Sequence, residues 1–270
     1  MSYSSVEGLR VSLDGDGVLR LLLDRTDKRN ALNDTMVAGL IDAVDTAARD
    51  EAVRVIVLTG AGDHFCGGAD IVTRNEGGGG AKRRAGSIQR RLPSQAHRLI
   101  PLLLTVQTPV VCGARGWAAG IGLQLLLAAD VAVVADDARL WEPFSERGFT
   151  PDSGATWLLP RRIGEVRARE MLLLGRPVDG AEAASWGMVH RSVPAEALDD
   201  AVESVALELA AAPTVAIGLT KWLLHTGAST PLDQHLRNEA FALELSSRTE
   251  DFREGLAAFK DKRNPNFKGR

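Results

Sequence analysis

Cysteine is nearly absent from the 270 residues: Cys66 and Cys112 are the only two. Two thiols cannot build a disulfide framework, and free thiols in a reducing compartment are the simpler state. The N-terminal stretch MSYSSVEGLRVSLDGDG has no apolar centre and no cleavage pattern, so no secretory leader is expected. No uninterrupted apolar run reaches membrane-spanning length. The most apolar stretch, 109–135, is broken by Arg115, Gln124, Asp130 and several glycines, which predicts a buried loop–helix–strand unit. An excess of one charge sign is also missing: a formal net charge of −3 argues against a duplex-binding protein. His97, His190, His225 and His235 show no ligand spacing, so no metal is expected. Together these absences predict a cytoplasmic chain with no nucleic-acid or membrane partner.

What is present is ordinary globular composition, 45% hydrophobic and 25% charged, enough for one large core or a core with an appendage. Alternation at Leu9, Val11 and Leu13, the Asp14-Gly15-Asp16-Gly17 turn and the apolar run 18–23 predict a β-hairpin. Asn33 is placed to cap a helix whose apolar residues Met36, Val37, Leu40, Ile41 and Val44 recur at three and four. A buried strand follows at 53–58. Strand, helix and strand in succession point to an α/β layered core.

Over 75–91 the pattern collapses: Gly77, Gly78, Gly79 and Gly80 precede Lys82, Arg83, Arg84, Arg90 and Arg91, as in a mobile surface loop with a solvated charge run. A helix is expected over 93–104, a strand at 110–112, a helix through Ala129 and a strand at 131–134. Beyond 194 the pattern is helical, in segments 195–211, 214–225, 231–246 and 251–262. This sets a boundary near residue 200, between a core over 1–200 and a helical region over 201–270. An appendage of that length needs a surface to pack on, and a neighbouring subunit is the expectation.

Two glycine-containing turns carry the chemistry. Asp63-His64-Phe65-Cys66-Gly67-Gly68-Ala69-Asp70 follows the strand that ends at Gly60. Gly116-Trp117-Ala118-Ala119-Gly120-Ile121-Gly122 opens the helix that holds Leu123 to Ala129. Turns without side chains let a ligand reach the backbone, and a helix start presents unpaired N–H groups to an anion. Two such turns converging would make a two-donor oxyanion site. Spacing alone favours glycines kept for steric reasons, as strand–helix turns often carry them.

The chain resembles the crotonase (enoyl-CoA hydratase/isomerase) superfamily along its whole length. The resemblance rests on Asp24-Arg25-Thr26-Asp27-Lys28-Arg29-Asn30-Ala31-Leu32, on Phe65-Cys66-Gly67-Gly68-Ala69-Asp70, and on the second glycine turn with Leu125 and Asp130 beyond it. The tail Glu254-Gly255-Leu256-Ala257-Ala258-Phe259-Lys260-Asp261-Lys262-Arg263 completes it. The resemblance implies an α/β fold, a crotonase-like spiral of ββα units with a C-terminal helical trimerisation region, assembled as a homotrimer or a dimer of trimers. It implies an acyl-CoA thioester substrate, with coenzyme A part of that substrate and no separate cofactor. Position by position, it implies an oxyanion hole from the N–H groups of Gly67 and Ile121. Lys28, Arg29 and Ala31 would hold the adenine and pantetheine arm, and Phe259 and Lys262 would meet the nucleotide end. Cys66, Ala69, Asp70, Ile71, Trp117, Gly120, Gln124 and Phe144 would line the rest of the substrate site.

Superfamily members that hydrate enoyl-CoA are similar in two glutamates. Gapless spacing from the glycine turn puts Gln124 and Phe144 at those positions, and neither side chain titrates. Instead, residues 144–160 resemble the ring-epoxide phenylacetyl-CoA isomerase branch and its double-bond-shifting relatives. Its Pro-Asp-x-Gly turn carries the catalytic carboxylate, here Asp152. The residues alone equally suit Asp152 as the N-cap of a helix beginning near Ser153. Glu142 and Glu146 flank the Phe144 position and are expected at the surface or in salt bridges, and His64 is expected to make a loop contact. The expected chemistry is enoyl-CoA isomerisation, with Asp152 as the single base and the thioester enolate held in the hole. The alternatives are a hydratase using Glu142 or Glu146, and a non-catalytic acyl-CoA binder.

Overall fold

Apolar alternation at the N-terminus builds the first edge of a sheet. A computed structural model, which describes residues 1–70 and 86–270, pairs β1 (Leu9–Leu13) antiparallel with β2 (Val18–Leu23). The turn between them is tied by Asp14, whose Oδ1 accepts from the N–H groups of Asp16 and Val18. Asn33 caps α1 (Asp34–Ala47) as expected: its side chain accepts from the Met36 N–H, and Met36, Val37, Leu40, Ile41 and Val44 form the buried face.

β2 runs parallel to β3 (Val55–Gly60), β3 to β4 (Val110–Ala114), β4 to β6 (Val131–Ala135) and β6 to β9 (Arg191–Val193). The sheet order is β1-β2-β3-β4-β6-β9. Its central strands read as continuous apolar runs because both faces are covered. Ile56 and Leu58 join the main core, whereas Val55, Val57, Val111 and Val133 meet Leu198, Val202 and Ala206 on the other side. Those last three belong to helix Leu198–Ala210, so the boundary drawn near residue 200 falls inside a helix that covers the sheet.

A second sheet, β5-β7-β8, pairs β5 (Trp117–Ala119) with β7 (Arg139–Trp141) and β7 with β8 (Val178–Asp179). These strands are two or three residues long, too short to show a period. The remaining helices are α2 (Ser87–Arg91), α3 (Ala96–Thr105), α4 (Ile121–Ala128), α5 (Ala155–Leu174), α6 (Gly180–Ser185) and α7 (Leu198–Ala210). The C-terminal region adds α8 (Thr214–Gly227), α9 (Leu232–Ser246) and α10 (Glu250–Asp261). Helix α2 corrects the end of the loop expected over 75–91, whose residues up to 85 lie outside the described ones. Among the described residues no single helix is long and apolar enough to cross a membrane.

Helix α8 is anchored through its buried Lys221, which is ion-paired with Asp130. Lys221 of α8 donates to Asp130 Oδ2 at 2.7 Å and to the Leu103 carbonyl at 2.9 Å, while the same Asp130 oxygen accepts from the Val110 N–H. Burial pushes the Asp130 carboxyl up and the Lys221 ammonium down from their ordinary values, and their mutual attraction offsets part of both shifts. Removing the carboxylate leaves a buried ammonium with carbonyl partners only. Asp130→Ala is therefore expected to destabilise the fold by about 3 kcal/mol or more, and Lys221→Met by less, in urea unfolding at fixed protein concentration.

Candidate active site

The two glycine turns meet. Residues 65–70 are hydrogen-bonded on both sides: the Phe65 and Cys66 N–H groups donate to the Arg115 and Trp117 carbonyls, and Ala119 N–H donates back to the Cys66 carbonyl. On the other side Leu32 N–H donates to the Gly68 carbonyl at 2.8 Å, and Asp70 N–H donates to the Leu32 carbonyl at 2.9 Å. Gly68 makes the change of direction at φ 103°, where a Cβ would stand 3.2 Å from the Ala119 carbonyl oxygen.

This hydrogen bonding corrects the expected first donor. The Gly67 N–H is engaged by the Arg29 carbonyl at 2.7 Å and is not available to a ligand. Ala69 is bracketed by the two bonds to Leu32, so its own N–H faces away from that strand. Neither the Ala69 nor the Ile121 N–H donates to a described acceptor. Ile121 is the first residue of α4, whose leading N–H groups have no partner within the helix.

Both residues line one small cavity of about 50 Å³, together with Gly67, Gly68, Gly120, Phe144, Phe149, Arg147 and Asp152. Leu32, Val37, Leu92, Ala96 and Pro143 make it mostly apolar. Phe144 and Phe149 meet edge to face, with ring centroids 5.4 Å apart. A larger hollow of about 510 Å³ opens between α5 and α8, but charged groups in its wall already have partners: buried Lys221 is paired with Asp130, and Arg162 donates to the Leu127 carbonyl at the end of α4. The small cavity combines the unengaged Ala69 and Ile121 N–H groups with the Asp152 carboxylate.

Asp152 is not a helix cap. The N-cap of α5 is Gly154, without a side-chain bond, and among the described residues the Asp152 carboxylate accepts from the Ser153 hydroxyl, at 2.9 Å. That leaves it in the cavity wall as an accessible acid.

The other expected site residues divide. Gly120 and Phe144 line the cavity. Cys66 does not: it is fully buried, and burial pushes its thiol up to about 12. Asp70, 6% exposed, is ion-paired with Arg25 at 3.0 Å and is not in the cavity wall. Trp117 stacks at a tilt on Trp141 and is likewise outside the wall. Lys28, Arg29, Ala31, Phe259 and Lys262 also lie outside it, Phe259 with 86% of its surface open. Ile71 falls outside the described residues. His64 makes a loop contact as expected, accepting from the Trp117 N–H at 3.3 Å.

Three features escaped the sequence reading. Asn30, fully buried at φ 55°, donates to the Ala61 and His64 carbonyls and accepts from the Arg25 N–H, joining the 25–32 segment to the 61–65 turn. Arg25 bridges Asp70 and the Ala31 carbonyl. Glu142, expected at the surface, is fully buried and takes a hydrogen bond from the equally buried Gln124. An asparagine or glutamate carries no sequence signal for burial, because only its partners make burial tolerable.

The chain is similar to known proteins along most of its length. Residues 14–270 match the enoyl-CoA hydratase/isomerase family. The chain is 38% identical over 255 residues to the 1,2-epoxyphenylacetyl-CoA isomerase of Escherichia coli K12, covering 94% of this chain and 96% of that one. It is 31% identical over 253 residues to the 2,3-dehydroadipyl-CoA hydratase of the same organism, again covering 94% and 96%. The crystal structure of an enoyl-CoA hydratase from Bacillus anthracis matches with a TM-score of 0.90 and 30% identity, over 97% of this chain and all of that one. The protein thus belongs to the enoyl-CoA hydratase/isomerase family, whose members act on acyl-CoA thioesters, and its fold is the crotonase spiral.

The spacing between the two turns is set by Gly122. A Cβ there would meet the Cys66 Cβ and carbonyl oxygen, each at 2.7 Å. Gly122→Ala must push the start of α4 away from the 65–70 segment. It is expected to lower kcat about 100-fold while circular dichroism still reports a folded chain. A folded variant with unchanged kcat would mean that the separation of the turns is unimportant.

Proposed function

We propose that this protein is an enoyl-CoA isomerase that moves a proton with Asp152 and holds the resulting thioester enolate on the Ala69 and Ile121 N–H groups. The observation that carries the reading is the cavity itself, which brings the unengaged Ala69 and Ile121 N–H groups together with the Asp152 carboxylate. Asp152 takes a proton from carbon conjugated with the thioester carbonyl, directly or through a double bond. Negative charge moves to the carbonyl oxygen, where the two N–H dipoles stabilise it. The same carboxyl returns the proton at another carbon, so one acid–base group completes a double-bond shift.

Hydration asks for more, because a second titratable group must position and activate water. The two positions that hold glutamate in hydratases are Gln124 and Phe144 here. Glu142 is sealed from solvent, and Glu146 is exposed outside the cavity wall, beside Gly175. The likeness to 1,2-epoxyphenylacetyl-CoA isomerase and the Phe144–Phe149 pair favour an acyl group that bears a planar ring. A slot of about 50 Å³ must widen to admit such a ring, and Phe149, 42% exposed, is the wall residue free to move.

The open apolar side chains of α9 and α10, among them Leu236, Phe241, Leu256 and Phe259, support self-association through this region, as a homotrimer or a dimer of trimers.

The test is turnover of a 3-enoyl-CoA in heavy water, followed by mass and absorbance. The wild-type protein should shift the double bond with deuterium uptake, and Asp152→Asn should lower the rate by roughly 100- to 10,000-fold while still binding the ester. A 3-hydroxyacyl product from crotonyl-CoA that survives the loss of Asp152 would overturn the reading in favour of a hydratase.

A further inference from the structure

Glu142 follows β7 directly and precedes the cavity-lining Pro143 and Phe144. Gln124 of α4 donates through Nε2 to Glu142 Oε1, and neither side chain touches solvent. Their other oxygens, Glu142 Oε2 and Gln124 Oε1, are equally buried and have no hydrogen-bond partner. These two orphan acceptors belong to side chains already joined by one hydrogen bond, and each lacks a donor. A proton on Glu142 supplies it: Oε2–H donates to Gln124 Oε1 while Gln124 Nε2–H donates to Glu142 Oε1, closing a neutral ring of two hydrogen bonds.

The surroundings favour that proton. No described cation is paired with Glu142. Helix α4 carries no charged side chain. On β7, Arg139 is exposed, and on β8, Asp179 is turned to cap α6. The charged group that acts on Glu142 is Asp152, of the same sign as its carboxylate. Burial first, and Asp152 in addition, hold the carboxyl well above the usual range, against a smaller opposing pull from the Gln124 bond.

The two elements joined by this ring are already joined once, by the Gly120 N–H donating to the Trp141 carbonyl at 2.9 Å. We infer that Glu142 is a positioning residue: as a neutral acid it closes the ring with Gln124 and clamps the start of α4, and with it the Ile121 N–H, to β7. The inference rests on the oxyanion role proposed for Ile121. It also fixes the sense of the pH response. Ionisation at high pH leaves acceptors facing acceptors and places a second negative charge near Asp152. The clamp opens, and turnover falls on the alkaline side.

The experiment has two arms on the full-length protein. Infrared spectra at about pH 7 should show a protonated-carboxyl carbonyl band that Glu142→Gln removes and that alkali removes from the wild type. In kinetics with a 3-enoyl-CoA, Glu142→Ala should lower kcat roughly 10- to 100-fold with KM within about twofold, and Gln124→Ala should do the same. Glu142→Gln can remake both hydrogen bonds without titrating, so it should restore most of kcat and abolish the alkaline fall. Superposable infrared spectra for the wild type and Glu142→Gln would overturn the neutral acid. Unchanged kcat in both alanine variants, or an alkaline fall that persists in Glu142→Gln, would overturn the clamp. An active Asp152→Asn would instead remove the proton-transfer reading and leave the infrared result standing.

Discussion

The hydrogen bonds that run from residues 65–70 to Leu32 on one side and to Arg115, Trp117 and Ala119 on the other set every later feature of the site. Backbone groups in a folded chain must be paired, and this segment pairs all but a few of its own. What stays unpaired is therefore informative. The Gly67 N–H goes to Arg29 and the Asp70 N–H to Leu32, while the Ala69 N–H between them remains open to the cavity. A donor fixed by its neighbours needs no reorganisation when negative charge develops opposite it.

The supporting contacts are polar and buried, and that makes them specific. Asn30 is held in a left-handed conformation by three hydrogen bonds, and Arg25 spans Asp70 and the Ala31 carbonyl. Breaking any of them would leave a desolvated partner without compensation. The neighbouring Lys28, Arg29 and Ala31 resembled a CoA-binding stretch in the sequence. In the fold, Asn30 and Arg25 hold the segment in place.

Two carboxyls near the cavity have opposite environments. Asp152 lies in the cavity wall with one neutral hydroxyl donor. Glu142 is sealed against Gln124, and burial keeps its proton. Placing like groups close together in unlike surroundings separates their roles, because only the solvent-reachable one bears charge at low cost. The aromatic pair Phe144–Phe149 lines the same slot as Asp152.

Local pattern was enough for much of the fold. The β1–β2 hairpin, the Asn33-capped helix, the parallel strands β3, β4 and β6 and the four C-terminal helical segments follow from alternation, capping and the 3.6-residue period. The two glycine turns were legible in the same way, whereas the Ile121 N–H and the Asp152 turn were indicated by the family resemblance. Strands of two or three residues carried no such signal, and β5, β7 and β8 exist only because they pair with one another. Which N–H of 67–69 stays open, whether Asp152 caps a helix and whether Glu142 meets water were not legible either. The donors and the buried acid depend on partners distant in sequence, Arg29 and Leu32 for the first and Gln124 for the second, and the cap is taken by Gly154, two residues beyond Asp152. Periodicity reports which face of an element is apolar. Only packing decides which polar groups are paired, and the chemistry of this site resides in those that are not.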